Sequence, residues 1–147
     1  GEKPKAAREK ALGYFAQFGL EGTGDKYPAQ LSGGMRQRAA LLRTFLGSQG
    51  VVLLDEPFSA LDALTKREIH RWYMGMMDQL KLTTLFITHY IDEAILLSDR
   101  IYILAGSPGC IAAELTIQPS RPRTVDFALS GVFLDYKKQI LSLLGQS

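Results

Sequence analysis

The feature that most constrains the fold is an alternation of short apolar runs with helical patterns along the middle of the chain. The apolar runs lie at 51–54, 85–87 and 101–104, and the helical patterns lie at 64–80 and 91–97. This alternation is typical of a mostly parallel sheet with helices covering it. The chain is therefore predicted to be an α/β protein.

Helical and hairpin patterns flank this region. Apolar spacing predicts a first helix that continues through Phe18 and stops at Gly19, and a second helix with Ser32 as N-cap and Gly47 at its end. After a Pro-Gly turn, alternating residues at 111–117 predict an edge strand that pairs as a hairpin with 101–104. A closing amphipathic helix is outlined by Phe133, Tyr136, Ile140, Leu141 and Leu144.

Composition narrows the function classes. Seventeen Lys and Arg against 15 Asp and Glu give a net charge of +2, which gives no support for a nucleic-acid partner. The single Cys110 excludes an internal disulfide and favours a reducing cytosol. No apolar run approaches the roughly 18 residues that a membrane span requires, so a soluble chain is expected.

Two adjacent carboxylates, Asp55 and Glu56, follow the apolar run at 51–54. Ligands of open parallel sheets bind beyond the carboxyl ends of the strands. Neighbouring side chains diverge there, so one carboxylate can face Mg²⁺ while the other orients a water molecule. The alternative is an Asp-Glu pair that only caps the strand before Pro57.

A second cluster, Ser32-Gly33-Gly34, precedes a predicted helix. Free backbone N–H groups, a hydroxyl and the positive end of the helix dipole favour phosphate binding at such a position. The alternative is an ordinary Ser-capped helix start. Asp62 likewise reads either as part of a functional loop or as a plain N-cap.

Two histidines receive different interpretations. His89 follows the apolar run at 85–87, where its ring can hydrogen-bond a phosphate oxygen, although a lone histidine at a strand end is more often structural. His70 lies in a charged stretch and is expected on a solvated helix face. The aromatic and methionine stripe of the same helix is expected in the core: Ile69, Trp72, Tyr73, Met76 and Leu80. Arg121 and Arg123 are expected to be exposed loop charges rather than contacts with a membrane partner.

The order of these clusters resembles that of ABC-transporter ATPase subunits. Leu31-Ser32-Gly33-Gly34 resembles the signature motif, the run ending at Asp55-Glu56-Pro57 resembles Walker B, Ser59-Ala60-Leu61-Asp62 resembles the D-loop, and Thr88-His89 resembles the H-loop. Phe58 and the Ile91-Asp92-Glu93-Ala94 segment look like the importers of nitrate, sulfonates, taurine and related small solutes.

The resemblance implies a partial P-loop NTPase fold of the ABC type, a mostly parallel sheet with covering helices and part of the helical subdomain. It implies ATP and Mg²⁺, with Asp55 serving the metal, Glu56 as general base and His89 holding the γ-phosphate. Ser32, Gly33 and Gly34 would contact the ATP of a second subunit, with Gln37 lining the same seam and Asp62 crossing it.

The resemblance also implies partners and a location. A second ATPase subunit would form a homodimer, transmembrane permease subunits would bind it, and an extracytoplasmic solute-binding protein would act indirectly. No nucleic acid is implied. The subunit would be cytoplasmic and peripheral on the inner face of the cell membrane. The expected segments are 1–47 for the helical subdomain, 48–118 for the catalytic core, and 119–147 for a C-terminal loop and helix.

The sequence departs from the family at several points. Met35 replaces the usual Gln, and Tyr90 stands where the family usually has Asp. No Gly-x-x-x-x-Gly-Lys-Ser/Thr stretch and no Q-loop occur, so the chain is expected to be the C-terminal part of a longer ATPase.

The isolated chain is then expected to be inactive, with an exposed sheet edge and an exposed apolar face. Tight binding of ATP and Mg²⁺ would need the missing Walker A region. The alternatives are a non-transport ABC ATPase and a catalytically silent binding or assembly module.

Overall fold

A computed structural model describes residues 4–48, 50–80, 82–121 and 123–145, without the side chains of Asp78 and Val125. These residues form two compact units, 1–85 and 86–147, which are described separately. This division is based on the packing within each unit. The three segments expected from the sequence were defined by functional motifs instead, so their boundaries stay a prediction. Among the described helices, none is both long and apolar enough to cross a bilayer.

The first unit begins with helix α1 (Pro4–Gly13) and a turn-rich segment. The predicted continuous helix to Phe18 is wrong, because the helix ends at Gly13, a poor helix former, and tight turns follow. Gly19 therefore does not stop the helix as predicted; with φ of 60° it ends the turns that follow the helix. The N–H of Leu20 bonds the carbonyl of Phe15 at 2.8 Å, which completes a Schellman-type ending.

Helix α2 (Gly33–Gly47) begins and ends as predicted, and Ser32 is its N-cap. Strand β1 (Val51–Asp55), helix α3 (Ala63–Leu80) and strand β2 (Thr83–Ile87) follow. β1 and β2 pair in a two-stranded parallel sheet. The apolar residues buried in this unit include Phe18, Leu41, Leu42, Val52, Leu54, Phe58, Ile69, Tyr73, Met76 and Met77.

The second unit contains helix α4 (Ile91–Leu97), strands β3 (Arg100–Ala105) and β4 (Cys110–Thr116), and helices α5 (Val125–Ala128) and α6 (Gly131–Leu144). The predicted hairpin is confirmed, since β3 and β4 are antiparallel with a register shift after Ile103. Cys110 is a free, exposed thiol. The core of this unit consists of Ile95, Ile101, Ile103, Leu115, Ile117, Phe133 and Ile140.

Arg123 is not the exposed loop charge that the sequence suggested. Its side chain is 0% exposed, because its guanidinium donates to carbonyl oxygens of α4 and of the segments around it. Arg121 is only partly exposed and forms a two-pronged ion pair with Asp99, with N···O distances of 2.9 and 2.7 Å.

Candidate functional site

The start of α2 has the form expected of a phosphate-facing helix end. Ser32 is exposed, and its Oγ accepts a hydrogen bond from the Met35 N–H at 3.2 Å. A serine hydroxyl that accepts one bond still has a proton to donate. Gly33 is also exposed and Gly34 half-buried, so the first backbone N–H groups of the helix are not covered by side chains of their own residues.

The start of α2 packs against the start of α3. A Cβ added at Gly34 would lie 3.3 Å from Cγ2 of Thr65, and one added at Gly33 would lie 3.9 Å from Cδ2 of Leu61. A side chain at position 34 would therefore crowd Thr65 by a few tenths of an ångström, so glycine eases the packing of the two helices there. The contact brings the Ser32–Gly34 segment next to the loop that ends at Asp62.

Asp62 caps α3, as the structural alternative from the sequence proposed. Its Oδ1 accepts from the N–H groups of Leu64 and Thr65, each at 3.1 Å, and its Oδ2 accepts from the Thr65 hydroxyl at 2.6 Å. These bonds, led by the one from the Thr65 hydroxyl, lower the pKa of Asp62 below its usual value of 3.8. Capping does not preclude a role at an interface, because the carboxylate is fully exposed.

Asp55 and Glu56 lie at the carboxyl end of β1, and both are exposed. Glu56 has φ of 42°, and among the described residues it is the one non-glycine residue in the left-handed region. That conformation costs an L-residue about 1–2 kcal/mol, and residues held in such strained conformations cluster at active sites and ligand clamps. The turn is held by Ser59, whose N–H and Oγ bond the Glu56 carbonyl at 3.2 and 3.0 Å.

An aromatic cluster supports this turn from inside the unit. Phe58 is fully buried, and its ring meets His70 edge-on at a centroid distance of 4.9 Å and Tyr73 at 5.6 Å. The expectation that His70 lies on a solvated face is wrong, since only 7% of it is exposed. A signal for this was present, because His70, Tyr73, Met74 and Met77 have helical i, i+3, i+4, i+7 spacing.

Gln37 and Asp55 line the same open cavity of about 180 Å³, between α2 and β1. Ala40, Leu41, Thr44 and Leu53 also line this cavity. The structure thus brings a predicted seam residue and the predicted metal ligand to one surface depression within the first unit.

His89 belongs to the second unit and lies two residues after the end of β2. It is exposed, and its ring lies against the ring of Tyr90 with centroids 4.0 Å apart and planes tilted by 37°. Thr88, the residue before His89, donates a hydrogen bond from its hydroxyl to Glu93 at 2.9 Å. Glu93 is 2% exposed, an unusual state for a carboxylate, and nothing in the local pattern indicated it.

The carboxylates fit a magnesium ion that is shared with a nucleotide. Mg²⁺ prefers hard oxygen ligands, and it is commonly held by one or two carboxylates together with phosphate oxygens and water. Asp55 is exposed at a strand end beside a cavity, so its oxygens are open to such an ion. The described residues contain no group of three or more potential ligands, so a site built from protein groups alone is not present among them.

Known proteins resemble this chain in sequence. The ABC transporter family profile matches residues 2–59. The formylaminopyrimidine import ATP-binding protein ThiZ of Halalkalibacterium halodurans is 46% identical over 126 residues, which cover 86% of this chain and 51% of that protein. The nitrate import ATP-binding protein NrtD of Synechocystis sp. is 37% identical over 150 residues, which cover 98% of this chain and 56% of that protein. The chain spans about half the length of the curated relatives it matches.

The fold has a matching solved counterpart. A dimeric ATP-binding cassette, solved in a post-hydrolysis state with ADP and Pi, is similar with a TM-score of 0.60 and 27% identity, over 82% of this chain and 51% of that one. The α/β fold of the ABC type, expected from the sequence, is thereby confirmed. In sequence and in fold the chain is similar to ABC transporter ATP-binding domains, and its homologues are of the importer type.

Proposed function

We propose that the chain is the C-terminal part of the ATP-hydrolysing subunit of an ABC importer for a small solute. Two similarities support this: ThiZ and NrtD are import ATP-binding proteins, and the chain matches about half of their length. The remaining half would supply the Walker A loop, which this sequence lacks. Sequencing upstream of Gly1 tests this part, because a reading frame without a Gly-x-x-x-x-Gly-Lys-Ser/Thr stretch would contradict it.

In this proposal Glu56 is the general base. Its carboxylate takes a proton from the water that attacks the γ-phosphate, while Asp55 holds Mg²⁺. The metal neutralises charge on the phosphate oxygens when it is bound. The observation that carries the assignment is the exposed Glu56 directly after Asp55, held in a costly backbone conformation by a turn with a buried aromatic support. Such a turn fixes where the carboxylate can reach.

His89 is assigned to the γ-phosphate, and the start of α2 to the nucleotide of a second subunit. Exposed Ser32 and Gly33 offer a hydroxyl and backbone N–H groups to an anion. Asp62 and Gln37 would lie at the same subunit boundary. The packing of Gly34 against Thr65 supports this, because it places the α2 start and the Asp62 loop side by side on one subunit.

The proposed assembly is a homodimer of ATPase subunits attached to membrane-embedded permease subunits on the inner face of the cell membrane. An extracytoplasmic solute-binding protein would deliver the solute to the permease. Closure of the dimer on bound ATP would then drive uptake of the solute. The solved relative with ADP and Pi is dimeric, which supports the first part of this arrangement.

The test is ATP turnover by the whole subunit, reassembled with its permease, after Glu56→Gln. We expect turnover to fall by about a hundredfold or more, with ATP binding retained, because general-base catalysis supplies about 10²–10⁴ in rate. Glu68→Gln is the matched control, since Glu68 is an exposed glutamate on α3 and the same charge is lost. Unchanged turnover in Glu56→Gln would refute the assigned base.

A further inference from the structure

The loop between β2 and α4 is organised around the hydroxyl of Thr88. Thr88 Oγ1 donates to Oε2 of Glu93 at 2.9 Å and accepts from the N–H of Tyr90 at 3.0 Å. The two bonds are compatible, since a hydroxyl has one proton to donate and lone pairs to accept with. They hold the residues on both sides of His89, while His89 itself is exposed.

The residue that accepts the hydrogen bond from Thr88 is Glu93, which is buried in the second unit. Glu93 lies in the first turn of α4 and is 2% exposed. A buried carboxylate that accepts a hydrogen bond has little freedom to move. The bond to Thr88 therefore ties the loop to a rigid point rather than to a mobile surface side chain.

The other end of α4 is held by Arg123. Its Nη1 donates to the carbonyl oxygens of Ile95 and Leu96, each at 3.1 Å, and of Ser98 at 2.8 Å. These are carbonyls at the C-terminal end of the helix, which lack partners within the helix. Helix α4, which carries Glu93 in its first turn, is thus held by Arg123 at its C-terminal end as well.

We propose that Thr88 and Glu93 are positioning residues that hold His89 in the orientation required for γ-phosphate contact. This rests on the proposed function of His89. The arrangement also accounts for Tyr90, where the family usually has Asp: the bond from position 90 uses the backbone N–H, so the side chain there does not determine the turn. The Tyr90 ring instead packs beside the imidazole.

The test is a double-mutant cycle in the whole subunit assembled with its permease. Thr88→Val removes the hydroxyl with little change in shape, and Thr88→Ser retains it. We expect Thr88→Val to lower kcat about threefold to tenfold, with the KM for ATP nearly unchanged and Thr88→Ser close to the parent. His89→Ala alone should lower kcat about a hundredfold, as the loss of one preorganised donor does elsewhere.

The decisive comparison is Thr88→Val in the His89→Ala background. If Thr88 acts through His89, the second change should lower kcat by less than about twofold there. An equal loss of kcat in both backgrounds would overturn the proposal and indicate a purely structural role for Thr88. Full activity of Thr88→Val in the parent background would also overturn it. A His89→Ala subunit with parental turnover would instead refute the proposed function of His89.

Discussion

Glu56 combines a proposed catalytic role with a backbone conformation that L-residues avoid. Its φ of 42° lies in the left-handed region, where glycine alone is free of steric penalty. The geometry is maintained there by the Ser59 bonds to the Glu56 carbonyl and by the buried Phe58 ring beyond them. The left-handed conformation at residue 56 therefore lowers the stability of the fold, and it fixes the direction of the Glu56 carboxylate.

A pair of substitutions separates the strain from the chemistry. We expect Glu56→Gly to unfold at higher urea concentration than Glu56→Ala, by about 1 kcal/mol in the free energy of unfolding, because glycine tolerates positive φ. Both variants lack the carboxylate and should lose turnover equally. Equal stability of the two variants, measured by urea titration, would show that residue 56 is not held in the left-handed region.

Arg123 is a buried cation whose positive charge faces backbone carbonyls. Burial lowers the pKa of Arg123, and the nearby Asp99 carboxylate opposes that shift. Its Nε also donates to the Pro119 carbonyl at 2.9 Å, so one side chain connects the α4 end to the segment after β4. Removal of the guanidinium would leave several of these oxygens without the donor that they now have.

Arg123→Met should therefore lower the free energy of unfolding by about 3 kcal/mol or more, because buried acceptors lose a charged donor. Arg121→Met is the control. It breaks only the partly exposed ion pair to Asp99 and should cost less than about 1 kcal/mol. Chemical denaturation of both variants checks the ranking, and a cost for Arg121→Met equal to or above that of Arg123→Met would contradict it.

At the scale of elements, the contact between the starts of α2 and α3 has two possible purposes. Gly34 is close to Thr65 and also belongs to the proposed phosphate-facing segment. Packing and ligand binding make different demands on this position. If Gly34 serves packing alone, a Cβ is tolerated there once the neighbouring side chain leaves room for it. An approaching phosphate, in contrast, needs the backbone N–H groups uncovered.

Gly34→Ala, alone and combined with Thr65→Ser, distinguishes these purposes. Serine removes the Cγ2 methyl group that faces position 34 and keeps the hydroxyl that bonds Asp62. We expect the double variant to recover the thermal stability that Gly34→Ala loses, while ATP turnover of the whole subunit stays reduced. Recovery of both quantities would mean that Gly34 serves helix packing alone.

The cap of α3 makes stability depend on pH. The pKa of Asp62 is lowered in the folded state, so its charged form stabilises the fold above the unfolded value of 3.8. That stabilisation is lost as the pH falls through the folded-state pKa. We expect Asp62→Asn to be less stable than the parent at pH 6, with the difference shrinking steadily below about pH 3.8 in thermal melts. A difference that is the same at pH 6 and at pH 2.5 would contradict this.

At the scale of the whole molecule, β1 is buried on one side and β2 is partly buried on one side, and each strand exposes apolar residues on its other side. Val51 and Leu53 on β1 are 54% and 65% exposed, and Leu85 and Ile87 on β2 are 55% and 53% exposed. The exposed apolar face expected from the sequence is therefore confirmed for these strands. Exposed apolar strands promote pairing and association.

We expect the isolated 147-residue chain to self-associate and to bind ATP more weakly than micromolar, since the phosphate-cradling loop is not in its sequence. Leu53→Lys should shift sedimentation towards the monomer by charging the exposed face. Leu64→Lys is the control, because Leu64 is 74% exposed on α3 rather than on a strand. A monomeric parent chain, or an equal shift for both variants, would contradict this explanation, and micromolar ATP affinity would contradict the second expectation.

The sequence determined the parts of this protein that depend on near neighbours along the chain. Periodicity located α2, α3, α4 and the β3–β4 hairpin, because side chains two to four residues apart decide which face is buried. Capping chemistry located the Ser32 helix start for the same reason, since the Ser32–Met35 bond spans three residues. The order of the motifs then indicated the family without any coordinates.

Only the tertiary structure decided the features that depend on distant partners. Arg123 is buried because its guanidinium reaches a carbonyl 28 residues earlier, and His70 is buried because it meets Phe58 across a turn. The left-handed Glu56 and the buried Glu93 likewise follow from what packs around them. Sequence patterns report local preference, whereas burial of a polar group is stable only when remote atoms satisfy it, and those atoms are brought together by the fold.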